Sequence, residues 1–77
     1  MIIDNNWTLA SNTGLLIQKF GSSTLQLCYA ESTPDGSEPV FTAQLTHAQQ
    51  FPAVTGKAIY IRAFVDSEVS ASFEEVA

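Results

Sequence analysis

The chain has 77 residues, and eight acidic residues outnumber three basic ones, which gives a net charge of −5. Three cations are too few to neutralise a run of phosphates or to bind anionic lipid, so the composition argues against nucleic acid and membranes as partners. Cys28 is the only cysteine, which excludes an internal disulfide, and His47 is the only histidine, which leaves no second imidazole or thiol for a tetrahedral metal site.

The length predicts one domain, covering residues 1–77. A domain of this size hides only about 60% of its unfolded surface. Because neither a disulfide nor a metal adds stability, we expect a homo-oligomer. No run approaches about 18 apolar residues, and the first residues lack the basic and apolar regions of a signal peptide, so we expect neither a membrane span nor a signal peptide. The lone cysteine suits a reducing cytoplasm as the place of synthesis.

Turn-forming residues divide the first half of the chain into short β-like runs. Residues 1–14 form either an extended arm or a first strand at 7–10, followed by a turn at 11–14. Residues 15–20 are the next predicted strand. Residues 25–30 alternate between larger and smaller side chains, as expected of a strand with one buried face.

The second half continues in the same way. It begins with a polar loop at 31–39, which contains a tight turn at 34–36, and a strand at 41–45. The segment at 46–53 is either an extended loop or a short helical turn. A strand at 58–64, a turn at 65–67 and a strand at 68–74 complete the chain. Together these runs predict an all-β protein, a small single-domain sandwich or barrel of six to seven short antiparallel strands.

Strand alternation also predicts which side chains share a face. One inner face is expected to contain Leu25, Leu27 and Tyr29, and one core to contain Ile59, Ile61, Val69, Ala71 and Phe73. Glu68, Ser70, Ser72 and Glu74 are expected to face solvent.

The residues that could do chemistry are isolated in the sequence. His47 has no serine in a strained G-x-S-x-G turn to activate, and Cys28 is expected to be a buried or interface residue. The acidic residues of the 31–39 loop do not have the spacing of a calcium loop, and the adjacent Glu74 and Glu75 point to opposite faces of a strand. We therefore predict no enzyme activity, no catalytic residue, no bound metal and no cofactor.

Tyr60, Arg62 and Phe64 lie in phase on the face opposite Ile59 and Ile61. A lone antiparallel sheet usually leaves one face polar, so this second face must be covered by another segment, such as residues 49–52, or by another protein. Arginine and aromatic residues are enriched at interfaces, and we expect these three residues to contact a partner. A sugar-stacking platform of Trp7, Tyr29, Tyr60 and Phe64 is the alternative use of the aromatic residues.

The sequence of residues 51–64, FPAVTGKAIYIRAF, resembles the end of many small virion proteins of tailed bacteriophages, in which a similar stretch precedes a last short strand. Residues 25–30 and 32–35, LQLCYA and STPD, are similar to a strand and loop of the same proteins, and the resemblance covers residues 22–77. It is carried by strands and turns and includes no catalytic or ligand-binding motif.

The resemblance implies an all-β structural protein of the phage particle, made in the host cytoplasm. We expect a capsid decoration (cement) protein on the capsid surface, which binds the major capsid protein and its own copies, with a trimer implied by the resemblance. A head-fibre or tail-associated protein, including a receptor- or carbohydrate-binding module, is the alternative.

Overall fold

A computed structural model describes residues 2–20, 24–36, 38–43, 48–64 and 68–76. Its strands are β1 (Ile2–Ile3), β2 (Thr8–Ser11), β3 (Gly14–Phe20), β4 (Leu25–Ala30), β5 (Phe41–Ala43), β6 (Gln49–Phe51), β7 (Ala58–Ala63) and β8 (Val69–Val76). They form two antiparallel four-stranded sheets, which we call sheet A (β1-β8-β3-β6) and sheet B (β2-β7-β4-β5). In the part of the chain described, no helix is long and apolar enough to cross a membrane.

The all-β prediction is confirmed, but the strand number is wrong, because there are eight strands in the described residues instead of six or seven. β1 is too short for its alternation to be recognised in the sequence. β6 replaces the loop or helical turn considered for residues 46–53, because the exposed edge of β3 offers a partner for Gln49–Phe51. Within residues 2–11, β1 forms an edge strand of sheet A and β2 an edge strand of sheet B. The two sheets are separate, which excludes the barrel alternative for the described strands.

The two sheets enclose one apolar core. Sheet A contributes Ile3, Leu15, Ile17, Val69 and Ala71, and sheet B contributes Ala10, Leu25, Leu27, Ile59, Ile61 and Ala63. Tyr29, Phe51 and Phe73 pack against this core while remaining partly exposed. The predicted strand phase is therefore confirmed for both the 25–30 and 68–74 segments, with Glu68, Ser70, Ser72 and Glu74 exposed.

The turn predicted at residues 11–14 is fixed by a buried serine. The Ser11 hydroxyl donates to the Gly14 carbonyl (2.6 Å) and accepts from the Thr13 backbone N–H (3.0 Å). Gly14 itself begins β3, and a Cβ there would lie 3.0 Å from the Val76 carbonyl oxygen and 3.1 Å from that of Phe51. Only glycine lets the backbones of residues 14, 51 and 76 come this close without one of them moving.

Candidate protein-binding surfaces

Of the two residues considered for nucleophilic chemistry, the structure describes only Cys28. Cys28 is fully buried. Burial is the main cause that raises the pKa of its thiol, and the nearby Glu38 carboxylate raises it further. The raised pKa keeps the thiol protonated and unreactive. His47 lies outside the described residues. Within the described residues, no group of three or more histidine, cysteine, aspartate or glutamate side chains could hold a metal.

The acidic residues instead hold loops in place. In the 31–39 loop, the Glu38 carboxylate accepts from the Asp35 backbone N–H at 3.1 Å. The Glu75 carboxylate accepts from the Asn12 backbone N–H at 3.0 Å, which ties the end of β8 to the turn before β3. Glu74 is exposed on the outward face of the same strand, opposite Leu16 of β3.

Of the three residues predicted to contact a partner, Tyr60 and Arg62 lie in β7 on the outer face of sheet B. Tyr60 is only 9% exposed and packs in a second apolar cluster with Cys28, Ala30 and Ala58, against which Trp7 also packs. Phe64, which follows β7, is 46% exposed. Trp7, from the segment before β2, therefore supplies part of the cover that the sequence required for this face. Most of the suggested cover, residues 49–52, instead forms β6 (Gln49–Phe51) in sheet A.

Arg62 is held in position by two contacts on this face. Its Nε donates to Oε1 of the buried Gln26 at 2.8 Å, and its guanidinium carbon lies 4.3 Å from the centroid of the Trp7 ring. The first contact satisfies a buried amide oxygen, and the second stabilises the cation on the face of an aromatic ring. A cavity of about 290 Å³ opens beside Trp7 and Arg62, with Pro34, Glu38 and Val40 on its other wall.

The four aromatic residues do not form one platform. Trp7 and Tyr60 share the outer cluster of sheet B, whereas Tyr29 faces the inner core. The Tyr29 hydroxyl donates to the Pro52 carbonyl oxygen at 2.7 Å, which links β4 to the segment after β6. Burial raises the pKa of this phenol.

A second surface, which the sequence reasoning missed, lies where sheet B ends beside the 52–57 segment. We call it the apolar rim, defined by Tyr29, Pro39, Phe41, Pro52 and Val54, with Lys57 at its margin. These residues line an open cleft of about 390 Å³. Phe41 is 54% exposed and Val54 is 42% exposed, so two large apolar side chains of the rim remain in contact with water.

The local structure explains why the rim stays open. Phe41 pairs with the core residue Leu27, so it points to the inner side of sheet B, but β5 is the edge strand and its inner side is only partly covered. Val54 and Lys57 are joined by a tight turn in which Gly56 has a φ of +80° and the Lys57 N–H donates to the Val54 carbonyl oxygen at 3.0 Å. This turn presents Val54 outward beside Pro52.

The signal for the rim in the sequence was the pairing of apolar residues with prolines in two separate segments, Pro39-Val40-Phe41 and Pro52-Ala53-Val54. Each segment is too short to indicate a surface. The residues come together only because β5 and the segment after β6 lie at the same side of the sandwich.

Comparison of this chain with protein-family models, with curated proteins and with solved structures finds no match.

Proposed function

We propose that this chain is a structural protein of a tailed-bacteriophage particle, a capsid decoration protein that stabilises the head by binding between capsid subunits. The observation that carries the proposal is the apolar rim, with Phe41 at 54% and Val54 at 42% exposure on a domain of only 77 residues. The resemblance of residues 22–77 to small phage virion proteins supports the choice of partner.

Exposed apolar side chains gathered around a cavity favour a protein partner over a small polar substrate. Burial contributes about 25 cal/mol for each Å² of apolar surface removed from water, so covering Phe41, Val54 and the two prolines supplies a useful part of a binding free energy. Aromatic residues at the centre of such a patch are the usual source of affinity. Lys57 at the margin adds a positive charge that suits a carboxylate on the partner.

The mechanism that follows is bridging. A subunit that binds two neighbouring capsid proteins resists their separation by the sum of its contacts to both. It needs a rigid fold, an accessible apolar surface and no chemistry.

The test uses heads and tails of the phage that encodes the chain, purified from a strain with the gene deleted. Purified wild-type chain is added, and bound chain is measured after sedimentation of each fraction. We expect binding to heads, loss of binding for Phe41→Glu, and retention for Phe20→Glu. Phe20 is a matched control, because it is 49% exposed and lies on sheet A. Binding to neither fraction would overturn the proposal.

Binding to tails alone would favour the second candidate, a tail- or fibre-associated receptor- or carbohydrate-binding module. The cavity of about 290 Å³ beside Trp7 and Arg62 supports that candidate, because it combines an aromatic ring with charged side chains. The position of Arg62 over the Trp7 ring argues against it, since a stacked sugar needs a free ring face. Loss of tail binding in Trp7→Leu, with binding retained in Phe41→Glu, would identify this cavity as the site.

A further inference from the structure

The described strands leave four outer sheet edges, and three of these edges are shielded. β1 is only two residues long, β2 has an irregular register between Leu9 and Ser11, and β6 is followed at once by Pro52. Short strands, bulges and prolines are the features by which proteins keep strand edges from pairing with other chains. The fourth edge belongs to β5, which pairs with β4 on one side, and no described strand pairs with its other side.

The β5 edge is chemically suited to accept another strand. Residues 39–43, which comprise β5 and the two residues before it, contain no charged side chain, so this edge lacks the lysines and glutamates that discourage pairing. Thr42 is exposed, and Phe41 is 54% exposed at the apolar rim. An added strand would satisfy backbone groups along the edge and cover apolar surface in the same contact.

The charge of the chain favours a second copy as that strand. Two copies that each have a net charge of −5 repel one another, which favours a contact made where carboxylates are absent. Residues 39–43 meet this condition. An antiparallel pair of identical strands also creates a two-fold axis, which makes the contact self-complementary and closed. With the axis at Thr42, the two Thr42 side chains form a cross-strand pair of β-branched residues, a favourable combination.

We propose that two copies pair their β5 strands in antiparallel fashion around Thr42, which joins the two B sheets into one continuous sheet and brings the two apolar rims beside the same interface. This inference rests on the proposed function in one respect, namely that the rim binds protein. It identifies one such protein as a second copy of the chain. The two-fold pair differs from the trimer that the phage resemblance implies.

Sedimentation equilibrium of the full chain tests the pairing, over concentrations from about 1 to about 100 µM. We expect the wild-type mass to rise from one subunit to two across this range. Phe41→Lys should weaken association at least about tenfold, because it places a cation on the strand that must pair. Phe20→Lys, with similar exposure on sheet A, should associate like the wild type. Circular dichroism of each variant confirms that it is folded.

Cross-linking tests the register. Directly opposed residues of an antiparallel pair have Cα atoms about 4.5–5.5 Å apart, which is within reach of a disulfide. Thr42→Cys should therefore form a covalent dimer under mild oxidation, and Ser72→Cys on sheet A should not. The native Cys28 does not compete, because it is fully buried.

The outcomes separate this inference from the proposed function. The β5 pair is overturned if the wild-type chain stays monomeric at the highest concentration, or if the Ser72→Cys variant cross-links as readily as the Thr42→Cys variant. If that monomer still binds heads through Phe41, the decoration function stands without the pair. A dimer that requires Phe41 but binds neither heads nor tails supports the pair and overturns the decoration function.

Discussion

The outward faces of the two sheets follow the same alternation but have opposite surroundings. On sheet A, the outward residues Gln18, Ser70 and Ser72 are exposed. On sheet B, the outward residues Cys28, Ala30, Ala58 and Tyr60 are buried, with Trp7 packed against them. The sandwich therefore has a second, smaller apolar cluster outside its main core, on one side only.

The difference shows that alternation alone does not assign a face to solvent. Small apolar residues on β4 and β7 leave a shallow surface on which one large ring can lie, and Arg62 then packs over that ring at 4.3 Å. On sheet A, outward serines share the face with Leu16 and the 49%-exposed Phe20, and the described residues form no second apolar cluster there. A strand with apolar residues on both faces needs a cover, and here at least part of that cover is supplied by the chain itself.

Replacing Trp7 with alanine should give the largest loss of stability on the covered face. We expect Trp7→Ala to lower the free energy of unfolding by about 2–4 kcal/mol, because it removes most of a large ring from an apolar cluster. Leu9→Ala is the control, since Leu9 lies on the same face but is 49% exposed, and it should cost less than about 1 kcal/mol.

Urea denaturation should be followed by circular dichroism, since Trp7 is the only tryptophan and fluorescence would be lost with it. Equal losses for Trp7→Ala and Leu9→Ala would show that the outer cluster of sheet B contributes nothing to the fold.

The next largest effect should come from Arg62. Arg62→Met keeps the apolar stem but removes the donor to Gln26 and the cation over Trp7, and we expect a loss of about 1–2 kcal/mol. A double-mutant cycle with Trp7→Leu should give a coupling of about 0.5–1 kcal/mol for the cation–ring contact. A coupling of zero would mean that the contact has no energetic role.

The same Arg62→Met variant also tests the earlier prediction that Tyr60, Arg62 and Phe64 contact a partner. If it binds heads and associates like the wild type once its lower stability is allowed for, Arg62 acts within the fold and has no role in the interface.

The rates at which cysteines react with a thiol reagent should distinguish the covered outer face of sheet B from the exposed outer face of sheet A. At pH 8, Cys28 should react with a thiol reagent only as the chain unfolds, whereas a cysteine introduced by Ser72→Cys should react at once. Burial raises the pKa of Cys28 above its ordinary value of 9.0, so the stability linked to the protonated thiol is present below pH 9 and is lost as the pH rises through the folded value.

The raised pKa of Tyr29 acts in the same direction, above its ordinary value of 10.0. The melting temperature should therefore fall on the alkaline side of both values. A flat melting temperature through this range, or rapid labelling of Cys28 in the folded chain, would contradict the burial of these groups.

The smallest effect should come from the exposed face of sheet A. Ser72→Thr should change the free energy of unfolding by no more than about 0.5 kcal/mol, because the side chain remains in water and threonine suits a strand. A melting curve measured beside that of Trp7→Ala is sufficient. A loss above 1 kcal/mol would indicate that this face is covered after all.

Much of the inner core could be predicted from the sequence, because its residues repeat with the period of a strand. Leu25 and Leu27, or Ile59 and Ile61, are recognisable as core without any knowledge of their partners. The absence of a second cysteine or histidine is equally a property of the sequence alone. These features are local or compositional, and no packing arrangement can alter them.

The tertiary structure decided the rest, because it depends on residues far apart in the chain. Trp7 packs against the cluster of Cys28, Ala30, Ala58 and Tyr60 because β2 pairs with β7, and Arg62 meets Gln26 because β7 pairs with β4. Gln49–Phe51 became a strand because β3 had an edge to offer, against a weak local preference. The apolar rim likewise exists only where β5 and the 52–57 segment meet. Alternation within a strand specifies which residues share a face, but it does not specify which other segment covers that face.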